Sequence, residues 1–195
     1  MSDNEKRFNP KKRHDLLKEE RHERWNPPHF LRRFDIQPGQ AALDLGCGPG
    51  FWTLPLADIV GPTGRVWALD VSQEMLDTLA QREPPAPVVA VLSELPEIGL
   101  ETAVSDFVWA AFVYHEVEGD GLAAEMFRVT RPGGQVAILE WRPDDPEQSK
   151  PPKHHRVWPA QVKQALQEAG FSQVAEMWRD AEAYLITAQK ENGDG

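Results

Sequence analysis

The feature that most constrains this chain is an apolar run that stops at three closely spaced glycines. Residues 41–45 are apolar apart from Asp44, and Gly46, Gly48 and Gly50 follow directly. A second apolar run, residues 65–69, ends at Asp70. This order predicts a strand, a tight turn, a helix and a second strand that ends in a carboxylate. Glycines let a ligand approach the backbone, and such a carboxylate accepts hydrogen bonds from ribose hydroxyls, so the pattern indicates a nucleoside-containing ligand.

The spacing of the glycines separates two classes of nucleoside cofactor. Dinucleotide sites favour G-x-G-x-x-G, with the pyrophosphate at the N-terminus of the following helix. Here Phe51 stands where the third glycine of that pattern would be, and it is too bulky for close packing on a pyrophosphate. Asp44 would repel a phosphate and suits a cation. S-adenosylmethionine, which carries an ammonium and a sulfonium and no phosphate, therefore fits the pattern better than NAD.

The chain resembles the class I S-adenosylmethionine-dependent methyltransferases in several segments that occur in the family's order. They are LDLGCGPGFW, ALDVSQEML, DFVWAAFVYHEV, LAAEMFRVTRPGGQVAILEW and LQEAGF, and the resemblance covers roughly residues 27–189. It implies a doubly wound α/β fold with a mostly parallel seven-stranded sheet, a C-terminal antiparallel hairpin and helices on both faces. It also implies S-adenosyl-L-methionine as cofactor. The resemblance is nearest to the quinone-biosynthesis C-methyltransferases and does not name the acceptor.

The hydrophobic pattern alternates between strand and helix, which favours a parallel sheet covered on both faces. Strands are predicted at residues 41–45, 65–69, 88–92, 106–112, 135–141, 172–178 and 183–189. Helices are predicted at residues 11–25, 29–34, 51–59, 72–82, 120–130 and 159–169, and a turn at residues 131–134. The short gap between the last two strands permits an antiparallel hairpin. We expect one structural domain, with an N-terminal helical lid or tail at residues 1–34 and the cofactor-binding part at residues 35–195.

Composition narrows the classes of partner. The 195-residue chain has a net charge of −10 and one cysteine. The acidic balance disfavours nucleic acid as a substrate, and no apolar run approaches the roughly 20 residues that span a bilayer. The N-terminus has no apolar segment typical of a secretory signal, so we expect a cytoplasmic protein. We expect no metal, and the sequence leaves the oligomeric state open.

The resemblance assigns cofactor contacts to residues near the ends of the first four strands. The three glycines shape the turn beneath the methionine part, Asp44 helps to orient the amino group, and Asp70 binds the ribose. The remaining expected cofactor contacts are Val71, Met75, Ser93, Glu94, Ala110 and Ala111. For Met75 a plain core role is the alternative. Many relatives have an aspartate where this chain has Ser93 and Glu94, so a simple loop role stays open for that pair.

A histidine after the fourth predicted strand is the candidate catalytic residue. Relatives often carry a histidine beside the transferable methyl, as His115 in AFVYHEV would be, and its ordinary pKa near neutrality suits a general base. The alternative is a histidine that only packs under a loop. Similar families fold the N-terminal segment over the cofactor as a lid, a role open here to Trp25. Cys47 is interpreted as a small buried residue, and His154 and His155 as part of a solvated loop.

These observations favour an enzyme that transfers a methyl group from S-adenosylmethionine to a small-molecule acceptor. Two alternatives from other classes remain at this point. A non-catalytic protein that binds S-adenosylmethionine would keep the glycines and Asp70. An NAD-dependent oxidoreductase would share the fold class, but Phe51 and the glycine spacing disfavour it.

Overall fold

The computed structural model describes residues 9–85, 87–119, 121–144 and 151–193. These residues fall into two compact units, which we call the N-terminal unit (residues 9–94) and the C-terminal unit (residues 95–193). Most of residues 1–10, the start of the predicted lid or tail, lies outside the described residues. The division into a lid at 1–34 and a cofactor-binding part at 35–195 stays a prediction. No helix in the described parts of the chain is long and apolar enough to cross a membrane.

The N-terminal unit begins with three short helical segments where two helices were predicted. A 3₁₀ helix, Pro10–Leu17, is followed by α1 (Glu19–Trp25), and the extended backbone of Lys18 (φ −61°, ψ 148°) separates them. Helix α2 (Pro27–Leu31) starts earlier than the predicted 29–34 because proline is compatible with the first turn of a helix. Asn26, in the left-handed region at φ 38°, ends α1, and its side chain accepts a hydrogen bond from the backbone of α2.

Three parallel strands with two connecting helices form the rest of this unit. They are β1 (Ala41–Leu45), α3 (Thr53–Val60), β2 (Arg65–Asp70), α4 (Gln73–Gln81) and β3 (Val88–Leu92), with strand order β3-β2-β1. In the register, Leu45 pairs with Leu69 and Asp70 pairs with Leu92. The carboxyl ends of the strands therefore lie level with one another, at the edge where doubly wound sheets bind ligands.

The C-terminal unit holds four strands in the order β4-β5-β7-β6. Its elements are β4 (Ser105–Ala111), a 3₁₀ helix (Tyr114–Glu116), α5 (Gly121–Val129), β5 (Thr130–Trp141), a 3₁₀ helix (Lys153–His155), α6 (Pro159–Glu168), β6 (Ser172–Arg179) and β7 (Ala183–Gln189). β4 and β5 are parallel, and β7 is antiparallel to both β5 and β6. The predicted fold class, a mostly parallel seven-stranded α/β fold with a C-terminal antiparallel hairpin, is confirmed.

The prediction of a separate turn at residues 131–134 is wrong. β5 begins at Thr130, and the sequence Arg131-Pro-Gly-Gly134 makes an irregularity inside the strand. Thr130 pairs with Ser105, and the next pair is Gln135 with Phe107, so the intervening residues bulge out of the ladder. Gly133 takes φ 79°, a left-handed conformation that glycine adopts without steric cost.

Candidate functional site

The glycine-rich turn lies between β1 and α3. Gly46, Gly48 and Gly50 all take left-handed φ values, of 65°, 53° and 86°. The backbone N–H of Cys47 donates a hydrogen bond of 2.9 Å to the carbonyl of Leu69 in β2, which ties the turn to the neighbouring strand. The tight turn expected from the sequence is present, and its backbone conformation is the one that glycine adopts most readily.

There is little room for side chains in this turn. A Cβ atom added at Gly50 would lie 2.5 Å from Cδ1 of Leu79, and one added at Gly48 would lie 3.3 Å from Cδ1 of Leu16. Cys47 is buried, as the sequence predicted, and burial raises the pKa of its thiol. The turn thus presents bare backbone, which is what a closely bound cofactor requires.

Asp70 ends β2 and is held by backbone donors on both oxygens. Its Oδ2 accepts a hydrogen bond of 2.8 Å from the N–H of Gly48, and its Oδ1 accepts one of 2.8 Å from the N–H of Ser72. Burial raises the pKa of Asp70, and these hydrogen bonds oppose that rise. A carboxylate oxygen has more than one acceptor site, so Asp70 retains the capacity to bind hydroxyl groups.

Asp44 is a second carboxyl in the same unit, and it is buried whereas Asp70 is half-buried. Asp44 is 1% exposed, and Thr53, the first residue of α3, donates a hydrogen bond of 2.6 Å from Oγ1 to its Oδ2. Burial, together with the charge of Asp70, raises the pKa of Asp44 to about 7 against the opposing effect of the hydrogen bond from Thr53. Two carboxyls beside one backbone turn favour a cationic ligand over a phosphate. These residues therefore fit the ammonium and ribose groups of S-adenosylmethionine.

Thr53 was not singled out by the sequence. A hydroxyl in the first turn of the helix that follows the glycines was the signal for it, because such hydroxyls satisfy nearby polar groups. Arg82 was also missed, and its guanidinium donates a hydrogen bond of 2.7 Å to the carbonyl of Pro49 within the glycine turn.

The structure places the other predicted contacts of the N-terminal unit around the end of β2 and β3. Val71 is an exposed apolar side chain directly after Asp70, whereas Met75 is buried. Ser93 donates its backbone N–H to the carbonyl of Asp70 at 3.1 Å, and Glu94 is exposed. Ser93 is thus brought next to Asp70, and contacts of these four residues with an adenine ring stay predictions.

The segment before α2 contacts the glycine turn and the start of α3. Besides Leu16, which lies beside Gly48, the Arg21 guanidinium lies 4.8 Å from the centre of the Phe51 ring and the His22 ring lies 4.6 Å from it. Arg13 forms an ion pair with Glu74 of α4. Trp25 is buried. The predicted lid segment is therefore in contact with the turn, and its opening and closing stay a prediction.

In the C-terminal unit, His115 lies on the 3₁₀ helix that follows β4. Its Nδ1 is 2.9 Å from both carboxylate oxygens of Glu140, at the end of β5. Both side chains are buried, and Glu140 also accepts a hydrogen bond of 3.0 Å from the N–H of Trp141. Ala110 and Ala111, which end β4, are buried and pair with Ile138 and Leu139 of β5. Contacts of these alanines with a cofactor stay predictions.

The pKa of His115 results from opposing effects. Burial alone lowers it, but the charge and the hydrogen bond of Glu140 outweigh burial and raise the pKa above its ordinary value. His115 therefore contacts a buried carboxylate, and its role as a base and the alternative of a histidine that only packs under a loop both stay predictions. Glu140 was missed by the sequence, although an acidic residue inside the apolar run 136–141 was a signal for it.

His154 and His155 form part of a 3₁₀ helix, with ring centroids 4.2 Å apart. Within the described ranges, no group of three histidine, cysteine or acidic side chains is placed to hold a metal ion.

Comparison with known proteins finds a methyltransferase family and methyltransferase relatives. The family described as "Methyltransferase domain" matches residues 43–138, which include the glycine turn, Asp70 and His115. A demethylmenaquinone methyltransferase of Geobacillus sp. (strain WCH70) is 35% identical over 124 residues, which cover 62% of this chain and 53% of that protein. The chain thus spans about half the length of the curated relatives that it matches.

Solved structures show the same fold. A SAM-dependent methyltransferase from Aquifex aeolicus superposes with a TM-score of 0.83 at 28% identity, covering 94% of this chain and 99% of that one. The phosphoethanolamine N-methyltransferase 2 of Haemonchus contortus, in complex with S-adenosyl-L-methionine, superposes with a TM-score of 0.72 at 20% identity. That match covers 86% of this chain and 53% of the other, and it shows the fold alone.

Proposed function

Because the chain belongs to the class I S-adenosylmethionine-dependent methyltransferases, we propose that it is an enzyme that transfers a methyl group from S-adenosylmethionine to a small-molecule acceptor. The observation that carries this proposal is the junction of the glycine turn with β2, where Asp70 accepts the backbone N–H of Gly48 at 2.8 Å. That junction combines bare backbone with a carboxylate at the end of a strand, which is the arrangement that a nucleoside cofactor needs.

Within this proposal the residues of the N-terminal unit bind and orient the cofactor. Asp70 binds the ribose hydroxyls, the glycine turn admits the methionine part, and Asp44 faces its ammonium group. Val71 and Met75 supply apolar contact for the adenine ring, and Ser93 or Glu94 a polar one. When bound, S-adenosylmethionine supplies a methyl group on a positively charged sulfur, which is already activated for transfer. The protein then contributes mainly alignment and exclusion of water.

The acceptor is proposed to be a small molecule. The relatives named demethylmenaquinone methyltransferase make demethylmenaquinone the first acceptor to test. The chain spans about half the length of those relatives, so related phenols and hydroquinones belong in the same panel. A cytoplasmic location is also proposed, because the single cysteine of the chain suits a reducing compartment.

Calorimetry and a turnover assay test the proposal together. We expect S-adenosylmethionine and S-adenosylhomocysteine to bind, and NAD to bind much more weakly. We also expect mass spectrometry to detect a methylated product from an acceptor in the panel. Binding of NAD in preference to S-adenosylmethionine would favour an oxidoreductase instead. Tight binding of S-adenosylmethionine with no product from any acceptor, including co-purified small molecules identified by mass spectrometry, would favour a non-catalytic binding protein.

A further inference from the structure

We propose that Glu140 is a positioning residue that holds His115 with its Nδ1 protonated, so that Nε2 serves as the base for an acceptor bearing a hydroxyl group. This inference rests on the proposed function. The inference adds to that function the partner of the base, the ring nitrogen that accepts the proton and the chemical class of the acceptor.

The geometry of the pair determines which ring nitrogen is available. Nδ1 of His115 lies 2.9 Å from both oxygens of Glu140, and the backbone N–H of His115 points to the same carboxylate at 3.4 Å. A carboxylate only accepts hydrogen bonds, so the facing Nδ1 must carry a proton. In the neutral imidazole the other nitrogen, Nε2, is then an acceptor.

The Nε2 atom has no hydrogen-bond partner in the described part of the chain. Glu140, by contrast, is fully buried and also accepts the N–H of Trp141. A buried carboxylate held by several donors is fixed in place, and it fixes the ring in turn. The pair therefore presents one oriented acceptor nitrogen to any group that reaches it.

An oriented acceptor nitrogen is useful for one chemical class of methyl acceptor. A neutral amine already offers a free electron pair, whereas a hydroxyl oxygen is a poor nucleophile until its proton leaves. A phenol or enol is thus the class that gains most from this base. As the O–H proton moves to Nε2, the freed oxygen pair forms the new bond to the methyl carbon. The sulfur keeps the electron pair of the C–S bond, which leaves an imidazolium and a neutral thioether.

Charged groups around the ring come from three parts of the C-terminal unit. Glu140 faces it from β5 and Glu116 from its own 3₁₀ helix, and both raise the pKa of His115. Arg156, which precedes α6, lowers it. Tyr184 of β7, which pairs with Glu140 in the sheet, donates its hydroxyl to the carbonyl of Val157 instead. Glu140 is therefore the acidic group in direct contact with the ring.

The first test is independent of methyl transfer. In protein with ¹⁵N-labelled histidine, NMR of the His115 ring above its pKa should show Nδ1 protonated and Nε2 unprotonated. The signals are assigned with His115→Gln. A ring protonated at Nε2 in the unaltered protein would overturn the proposal. Because this measurement uses the unaltered protein, it does not depend on whether a Glu140 variant folds.

Substitutions then separate charge from contact. Glu140→Gln should lower the pKa of His115 by about 1–3 pH units, the usual effect of losing an opposite charge in contact. Glu140→Asp keeps the carboxylate, so its His115 should have a pKa between those of Glu140→Gln and of the unaltered protein. The matched control is Glu116→Gln, which removes the same charge beside His115 without a contact to its ring, and its effect should be clearly smaller. Equal effects of Glu140→Gln and Glu116→Gln would contradict the proposal.

Kinetics with a phenolic acceptor complete the test. We expect Glu140→Gln to lower kcat by about 10²-fold with little change in KM, and to move the rising limb of the pH profile to lower pH. An unchanged pH profile would overturn the assignment of His115 as base. If S-adenosylhomocysteine binds but no acceptor turns over, the NMR result still stands, so failure of the enzyme proposal and failure of the positioning proposal remain distinguishable.

Discussion

The backbone N–H of Gly48 donates a hydrogen bond of 2.8 Å to the carboxylate of Asp70, joining the glycine turn to the end of β2. The other oxygen of Asp70 accepts the N–H of Ser72, at the N-cap of α4. One side chain thus holds the turn, the strand end and the start of the next helix in a single arrangement. Changes at Asp70 should for that reason affect both cofactor binding and the order of the turn.

Asp70→Asn tests the ribose assignment with little change in shape. The amide keeps one acceptor oxygen but loses the charge and presents an NH₂ group to one of its partners. We expect the affinity for S-adenosylhomocysteine to fall by about 1–3 kcal/mol, the range for hydrogen bonds to charged groups. Calorimetry measures it, with Asp58→Asn on the exposed face of α3 as the control. Unchanged affinity in Asp70→Asn would remove Asp70 from the ribose site.

Gly50→Ala tests whether the turn has room for a side chain. Its Cβ would lie 2.5 Å from Leu79 Cδ1, in a backbone conformation of φ 86°. Gly61→Ala is the matched control, because Gly61 has φ 66° and nothing within 4 Å of the added Cβ. We expect the control to cost about 1–3 kcal/mol of unfolding free energy from its backbone conformation alone, because φ 66° with ψ −174° is a region that glycine adopts far more readily than other residues. Gly50→Ala should cost more and should also weaken cofactor binding, as denaturant unfolding and calorimetry would show.

Asp44 should make stability depend on pH. Burial raises the pKa of this carboxyl to about 7 in the folded protein, against an ordinary value of about 4 in the unfolded chain. Between these values the folded protein binds the proton that the unfolded chain has lost. The contribution of Asp44 to the unfolding free energy should therefore fall as pH rises from about 4 to about 7, with a slope of at most about 1.4 kcal/mol per pH unit.

Urea unfolding of the parent protein and of Asp44→Asn across this pH range isolates that contribution from other titrating groups. The difference between the two curves should narrow or reverse as pH rises, since the amide carries no charge to bury. Parallel curves would show that Asp44 has the same pKa in both states. Asp58→Asn, at an exposed position of α3, is again the control substitution.

Residues 10–25 should exchange more slowly when the cofactor site is filled. Leu16 of this segment lies beside Gly48, and Arg21 and His22 contact Phe51. A ligand bound in the turn should therefore stabilise the segment. Hydrogen exchange with and without S-adenosylhomocysteine measures the effect. Helix α6, in the other unit, is the internal reference. Equal exchange of residues 10–25 in both conditions would leave them as a passive surface segment.

Local patterns in the sequence determined most of the secondary structure. β1, β3 and β7 have the predicted bounds, the other strands and helices differ mainly at their ends, and the glycine turn lies where the spacing put it. These features depend on local properties of the sequence, such as the conformational freedom of glycine and the alternation of hydrophobic residues. Such properties can be identified from the sequence alone. The proline-glycine sequence after Thr130 shows the limit of such signals, since strand pairing absorbed a predicted turn into β5.

The partners of the functional side chains were decided by the tertiary structure. The sequence identified Asp70, Asp44 and His115 as chemically distinctive residues, but not that Gly48, Thr53 and Glu140 bind them. Each of these contacts joins the end of one element to another part of the chain, and only the packing of strands and helices brings the two together. Residue type is local information, whereas the burial and hydrogen bonding that set a pKa or orient a ring arise from distant residues meeting in the fold.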